Sequence, residues 1–87
     1  MALVSVPSLM QDLTAGQGQI DIEGETIREI ILNFEKAFPG VKDRLCDGDR
    51  IKPFIAVYVG NELSQAGMRE TVSPDSEIHF VPAISGG

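Results

Sequence analysis

The sequence predicts an α+β domain, with a mixed sheet of four to five strands and one main helix packed on one face. Three observations carry this. The stretch from Thr26 to Phe38 joins a helix start signal to apolar residues at helical spacing. Segments on both sides of it, such as Gln19 to Glu23, alternate polar and apolar residues at a period of two, as half-buried strands do. A length of 87 residues suits one small core; such a domain buries only about 60 to 65% of its unfolded surface and leaves nothing for a second domain.

Taken in order, Ala2 to Val6 alternates weakly and reads as a first strand, stopped near Pro7 because proline gives no N–H to a ladder. A loop through Thr14-Ala15-Gly16-Gln17-Gly18 leads to the strand Gln19-Ile20-Asp21-Ile22-Glu23, and the two strands are expected to form a hairpin. Glu25-Thr26-Ile27-Arg28-Glu29 contains a capping box, with the Thr26 hydroxyl placed to accept from the Glu29 amide and the Glu29 carboxylate reaching back. Behind it, Ile27, Ile30, Ile31, Phe34 and Phe38 fall on a single helical face, and Pro39-Gly40 ends the helix. Val41 to Leu45 allows a further short turn of helix, and Asp47-Gly48-Asp49 reads as a loop.

Pro53 then opens the strand Phe54-Ile55-Ala56-Val57-Tyr58-Val59, which is apolar on both faces. Such a strand is either covered twice or has one face awaiting a partner, and the domain is too small for double cover. Gly60-Asn61 turns the chain, Gly67 marks a loop, and a short extended stretch is expected around Glu70 to Val72. Ser73-Pro74-Asp75-Ser76 has the residue types of a turn, and Ile78 to Val81 is the last strand. The folded domain is therefore expected over residues 1–82, followed by a flexible tail over residues 83–87.

Composition narrows the function. The net charge of −6 opposes nucleic-acid binding, since phosphate neutralisation dominates that affinity and the seven Lys and Arg residues are few and scattered. No apolar run approaches the roughly 20 residues of a membrane span, and Met1 to Val6 has no basic start and meets Pro7 at once, so a cytoplasmic protein is expected. Cys46 is the only cysteine, which rules out an internal disulfide and a cysteine-rich metal site. It reads as a small buried apolar residue, and His79 as a strand residue that could touch a partner. No Gly-rich phosphate loop, paired His and Cys, or metal constellation is present in the sequence, so no catalytic residues of its own are expected.

The ending Val81-Pro82-Ala83-Ile84-Ser85-Gly86-Gly87 stands out. Glycine lets a foreign backbone approach closely, and the five residues after Pro82 could span about 17 Å when extended, enough to enter a deep pocket. Two glycines at specified positions arise by chance about once in 200 chains, so the pair gains meaning only from what precedes it.

That context is an order of β, β, α, β, short β, β ending in a strand and a diglycine. It resembles the ubiquitin-like β-grasp sulfur carriers of the ThiS/MoaD family. Glu77-Ile78-His79-Phe80-Val81-Pro82-Ala83-Ile84-Ser85-Gly86-Gly87 is similar to that family's terminal strand, proline, apolar residue and diglycine. Val4-Ser5-Val6-Pro7, Thr14-Ala15-Gly16-Gln17, Phe54 to Val59 and Val81 to Ile84 look closest to the CysO branch. Two departures, Pro74-Asp75-Ser76 where the family usually has Asp-Gly-Asp and Val59-Gly60-Asn61 where it often has Val-Asn, are confined to turns.

The resemblance implies a carrier rather than an enzyme. A partner related to the E1 adenylating enzymes would use ATP and Mg²⁺ to form an acyl-adenylate at Gly87, and a sulfur donor would then leave a thiocarboxylate there, with Gly86 as part of the narrow stem. In the CysO branch the implied acceptor is a cysteine synthase that uses pyridoxal phosphate; in a MoaD-type alternative it is the large subunit of molybdopterin synthase. A ubiquitin-like modifier joined through Gly87 to lysines is a further alternative, against which the uncharged, apolar run Val81 to Ser85 argues.

Strand parity locates a docking face for these partners. If Ile55, Val57, Val59, Ile78 and Phe80 face the helix with Ile20 and Ile22, then Phe54, Ala56, Tyr58, His79 and Val81 share the open face, bordered by Leu63 and continued by Ile84 in the tail. Phe54 and Tyr58 are the expected anchors.

Overall fold

The computed structural model describes residues 1–82; the expected tail, including Ile84, Gly86 and Gly87, lies outside the described residues. Strand β1 (Ala2–Ser5) and strand β2 (Gln19–Ile22) are followed by helix α1 (Ile27–Ala37) and the short helix α2 (Val41–Leu45). A small hairpin of β3 (Cys46–Asp47) and β4 (Arg50–Ile51) comes next, then β5 (Ile55–Val59), β6 (Glu62–Leu63) and β7 (Glu77–Pro82). The main sheet has five strands in the order β2-β1-β7-β5-β6. It is mixed, because β1 and β7 run parallel while β1·β2, β5·β7 and β5·β6 are antiparallel. This is the expected β-grasp arrangement, with α1 across one face.

The helix begins as the capping box requires. The Glu29 amide donates to Thr26 Oγ1 at 3.2 Å, and the Glu29 carboxylate reaches back to accept from the Glu25 amide at 2.8 Å, one residue before the cap. Ile27, Ile30, Ile31 and Phe34 are each 0% exposed, so the predicted apolar face is the face that packs on the sheet. Phe38 caps the helix, half-buried, with its ring edge-on to Phe34 at 6.0 Å. The Glu35 carboxylate turns back over the next start, accepting from the amides of Gly40 and Lys42 at 2.9 to 3.2 Å, where a negative charge suits the first turn of α2. Gly24 keeps the entry to α1 tight: a Cβ there would stand 2.9 Å from the Ile30 backbone nitrogen.

The sheet supplies the other half of the core. Ala2 and Val4 of β1, Ile22 of β2, Ile55 and Val57 of β5, and Ile78 and Phe80 of β7 are buried against the helix, with Ile20 and Val59 half-buried at its margin. Their register explains the parity, since Val57 pairs with Phe80 and Val59 with Ile78. The connection from β1 to β2 is longer than a tight hairpin turn and is knit internally. Thr14, fully buried, donates its hydroxyl to the Gln17 carbonyl at 2.8 Å, and Gln11 donates its side-chain amide to the Val6 carbonyl at 3.2 Å.

Three local expectations shift. Asp47-Gly48-Asp49 is the turn of the β3–β4 hairpin rather than a plain loop, with Gly48 at φ 66° supplying the left-handed residue such a turn needs. The short strand beside β5 is Glu62–Leu63, immediately after the Gly60-Asn61 turn. The stretch expected around Glu70 to Val72 joins no sheet strand; Thr71 makes an isolated bridge to Thr26, and the Ile27 and Val72 amides donate to the Glu70 and Glu25 carbonyls. These bonds tie the segment to the start of α1, which its sequence did not reveal.

Candidate functional site

The face of the sheet opposite α1 divides into two halves. On β2 and β1 it carries Gln19, Asp21, Leu3 and Ser5, and Glu77 continues this polar side at the start of β7. On the rest of β7, β5 and β6 it is mostly apolar, with His79 as a polar member. Ala56 pairs with Val81, and Tyr58 pairs with His79 on one side and with Leu63 on the other. Residues paired across neighbouring strands share a face, so the sheet brings Ala56, Tyr58, Leu63, His79 and Val81 together as parity predicts. Val81 is 43% exposed and Leu63 52%, both well above the buried residues of the helix side. Ala56, Tyr58 and His79 are half-buried between them.

Phe54 departs from that arrangement. The strand begins one residue later, at Ile55, and Phe54 stands 52% exposed at the end of the sheet. There it lines a cleft of about 210 Å³ with Met10, Arg44, Lys52, Ile55 and Pro82. The Lys52 ammonium lies 5.8 Å from the centre of its ring, within the range of a cation–π contact. Arg44 also pairs with Asp12 at 3.3 Å. Because Pro82 is the last residue of β7 and pairs with Ile55, this cleft sits at the root of the tail. The tail root thus has an apolar floor and two cations at its rim, which strand parity alone did not find. The signal available in the sequence was Lys52-Pro53: proline at that point delays the strand and frees the following ring from the pleat.

β7 fixes where the tail starts. It lies inside the sheet, hydrogen-bonded to β1 on one side and β5 on the other, and its pairing with β5 persists to Pro82. Ile78 and Phe80, 0% and 2% exposed, anchor the same strand in the core. Pro82, the last described residue, is therefore held at a defined position next to Val81 and the apolar half of the open face.

Cys46 takes no part in this region. It is 6% exposed, and burial raises its thiol pKa, opposed by the smaller influence of the Lys42 and Lys52 charges. It is thus a packing residue of low reactivity, as expected from its position. Among the described residues no group of three His, Cys, Asp or Glu side chains is placed to hold a metal ion. No helix among them is long and apolar enough to cross a membrane.

No protein-family model matches the chain. Among curated proteins it is 26% identical over 89 residues to the sulfur carrier protein CysO of Mycobacterium tuberculosis strain H37Rv, covering 97% of this chain and 96% of that one. Its fold superposes on a chain in the crystal structure of the Amycolatopsis orientalis BexX/CysO complex with a TM-score of 0.94, at 30% identity and with both chains covered in full. The crystal structure of Mycobacterium tuberculosis CysO matches with a TM-score of 0.89 at 24% identity, over 97% of this chain and all of that one. A mixed five-stranded sheet under one main helix, a final strand held to Pro82 and full-length likeness at 30% identity converge: the chain belongs to the CysO branch of the ubiquitin-like ThiS/MoaD sulfur carriers.

Proposed function

We propose that the chain is a sulfur carrier for cysteine biosynthesis, which presents its Gly87 carboxylate to partner enzymes and performs no catalysis itself. The observation that supports this best is the full-length likeness to CysO carriers, joined to a strand that delivers the tail from a rigid sheet beside an exposed apolar face.

The chemistry of a carboxylate sets what the partners must do. With a pKa near 3.3 to 3.7, a terminal carboxylate is ionised at neutral pH and is a poor electrophile. In the proposed sequence an E1-like enzyme, with ATP and Mg²⁺, lets a Gly87 oxygen attack the α-phosphorus of ATP and expels pyrophosphate. Sulfide from a donor then attacks the Gly87 acyl carbon, AMP leaves, and a thiocarboxylate remains. A cysteine synthase holding pyridoxal phosphate accepts this sulfur. The carrier's part is positional. Holding the reacting carbon at a fixed place on a docked domain turns a rare encounter into a local one.

In this reading Ala56, Tyr58, Leu63, His79 and Val81 form the seat for the partner, Phe54 and the tail-root cleft extend it, and Ile84 and Gly86 enter the partner with Gly87. Glycine at the two final positions keeps the stem narrow.

Intact mass spectrometry tests the proposal. After incubation with the cognate adenylating enzyme, ATP and a sulfide source, the chain is expected to gain the mass of one oxygen replaced by sulfur, and a form lacking Gly86 and Gly87 is expected to stay unchanged. An unchanged mass for the full chain overturns the carrier reading. Recovery of Gly87 joined to lysines, without a thiocarboxylate, would assign the tail to protein modification instead.

A further inference from the structure

A second surface, away from the open face, is built from positive charge. Arg28 of α1, Arg50 of β4 and Arg69 line one cleft of about 600 Å³, together with Asp49, Ile51, Ala66, Gly67 and Met68. In a chain of net charge −6, three of its seven Lys and Arg residues therefore meet at one place. Among the described residues none of these three guanidinium groups is paired with a carboxylate. Asp49 is the one acid in the cleft lining, against three arginines; Glu70 accepts from the Ser64 hydroxyl at 2.7 Å, and Glu29 holds the Glu25 amide. Arg28 also stands in the first turn of α1, where the helix dipole disfavours a cation. With Asp49 as the one acid of the lining, the cleft keeps an excess of positive charge in an acidic chain.

We propose that the Arg28, Arg50 and Arg69 cleft is a docking site for an acidic, carboxylate-rich segment of a protein partner. Guanidinium groups match carboxylates through paired N–H donors, and exposed charges of this kind speed and select encounters. The shape favours a polypeptide over a small anion. The cleft has Ile51 and Met68 as apolar contacts and shares Ile51 and Gly67 with a second cleft lined by Lys52, Ala56 and Leu63. The two clefts are therefore neighbours, and the second reaches Ala56 and Leu63 of the open face. A partner seated on that face would lay an acidic segment across these neighbouring clefts. Only this last placement rests on the carrier reading; the preference of the cleft for carboxylates does not.

The test uses the full chain, isotope-labelled for NMR, titrated with a hexaglutamate peptide at low salt, with inorganic pyrophosphate as the small-anion arm. The peptide is expected to shift the side-chain N–H signals of Arg28, Arg50 and Arg69, and to bind about tenfold more weakly when all three are changed to Gln, as expected for a few exposed charge pairs. Binding should also weaken as salt rises. Each single Arg→Gln variant should show a partial loss, which keeps the test informative if the triple variant is unstable. No shift at these arginines, equal binding by the variants, or tighter binding of pyrophosphate than of the peptide would overturn the proposal. A thiocarboxylation assay on the same variants with added hexaglutamate reads the carrier function separately, since loss of sulfur loading in the unmodified chain would leave the peptide result standing.

Discussion

The two faces of the same sheet differ in what they can lose. On the helix side, β5 and β7 present Ile55, Val57, Ile78 and Phe80, none more than 9% exposed, to the Ile27, Ile30, Ile31 and Phe34 face of α1. On the other side, one residue along the same strands, Tyr58 and Val81 stand beside Leu63, Ala56 and His79 with no helix of the described residues over them, in the half of the face that β6 extends. Apolar area removed from water stabilises the fold by roughly 25 cal/mol per Å², whereas the same side chains left in water contribute to stability only when a partner covers them. The alternation of a strand thus separates two faces: even a small domain can keep its core on one and leave apolar side chains exposed on the other.

Changes on either side should fail in different assays. The largest functional effect is expected from Gly86→Val, which thickens the stem and should abolish sulfur loading by mass spectrometry while leaving thermal unfolding unchanged, because the core residues found among residues 1–82 are not altered. A loss of stability comparable to a core change would break the separation. Phe34→Ala is the counterpart on the inner side: it removes a ring that is 0% exposed and should cost about 3 to 5 kcal/mol by denaturant unfolding. Its loading per folded molecule should remain normal.

Smaller changes sharpen the picture. Thr26→Ala removes the side-chain acceptor for the Glu29 amide and should cost about 1 kcal/mol, again without altering the open face. For Cys46, burial raises the folded pKa above the unfolded value, so the neutral thiol is favoured in the fold. The resulting stabilisation is present below the unfolded thiol pKa and is lost as pH rises through the raised folded value. Alkylation of Cys46 should accordingly be slow in the native chain and speed up only with unfolding, and a fast native reaction at neutral pH would contradict its assignment to the core.

Much of this division was legible in the sequence because it rests on short-range rules. The Thr26 to Glu29 capping box, the spacing of Ile27 to Phe38 and the alternation of Gln19 to Ile22 each follow from local geometry, and each is found where expected. Strand parity also placed Ala56, Tyr58, His79 and Val81 on one face, with Leu63 brought beside them by the pairing of β6. What parity missed depends on where a strand starts or what lies far along the chain. Phe54 falls before β5, so its ring joins Met10 and Arg44, residues distant in sequence, at the tail root. The Arg28, Arg50 and Arg69 cleft likewise joins a helix, a hairpin and the stretch after Gly67, and only tertiary packing reveals that three scattered arginines meet. The β3–β4 hairpin was within reach, since Asp47-Gly48 is a turn signal, but its two-residue strands are too short to show a period.

The separation of faces is tested most directly by Val81→Asp, an exposed change beside the tail that leaves the inner residues Phe80 and Ile78 in place. Sulfur loading by the adenylating enzyme would be followed by intact mass at increasing carrier concentration. KM is expected to rise by about tenfold, as for loss of a contact near the centre of an interface, with kcat and the unfolding midpoint retained. An unchanged KM, or a fall in kcat with KM unaltered, would contradict the docking role of the open face.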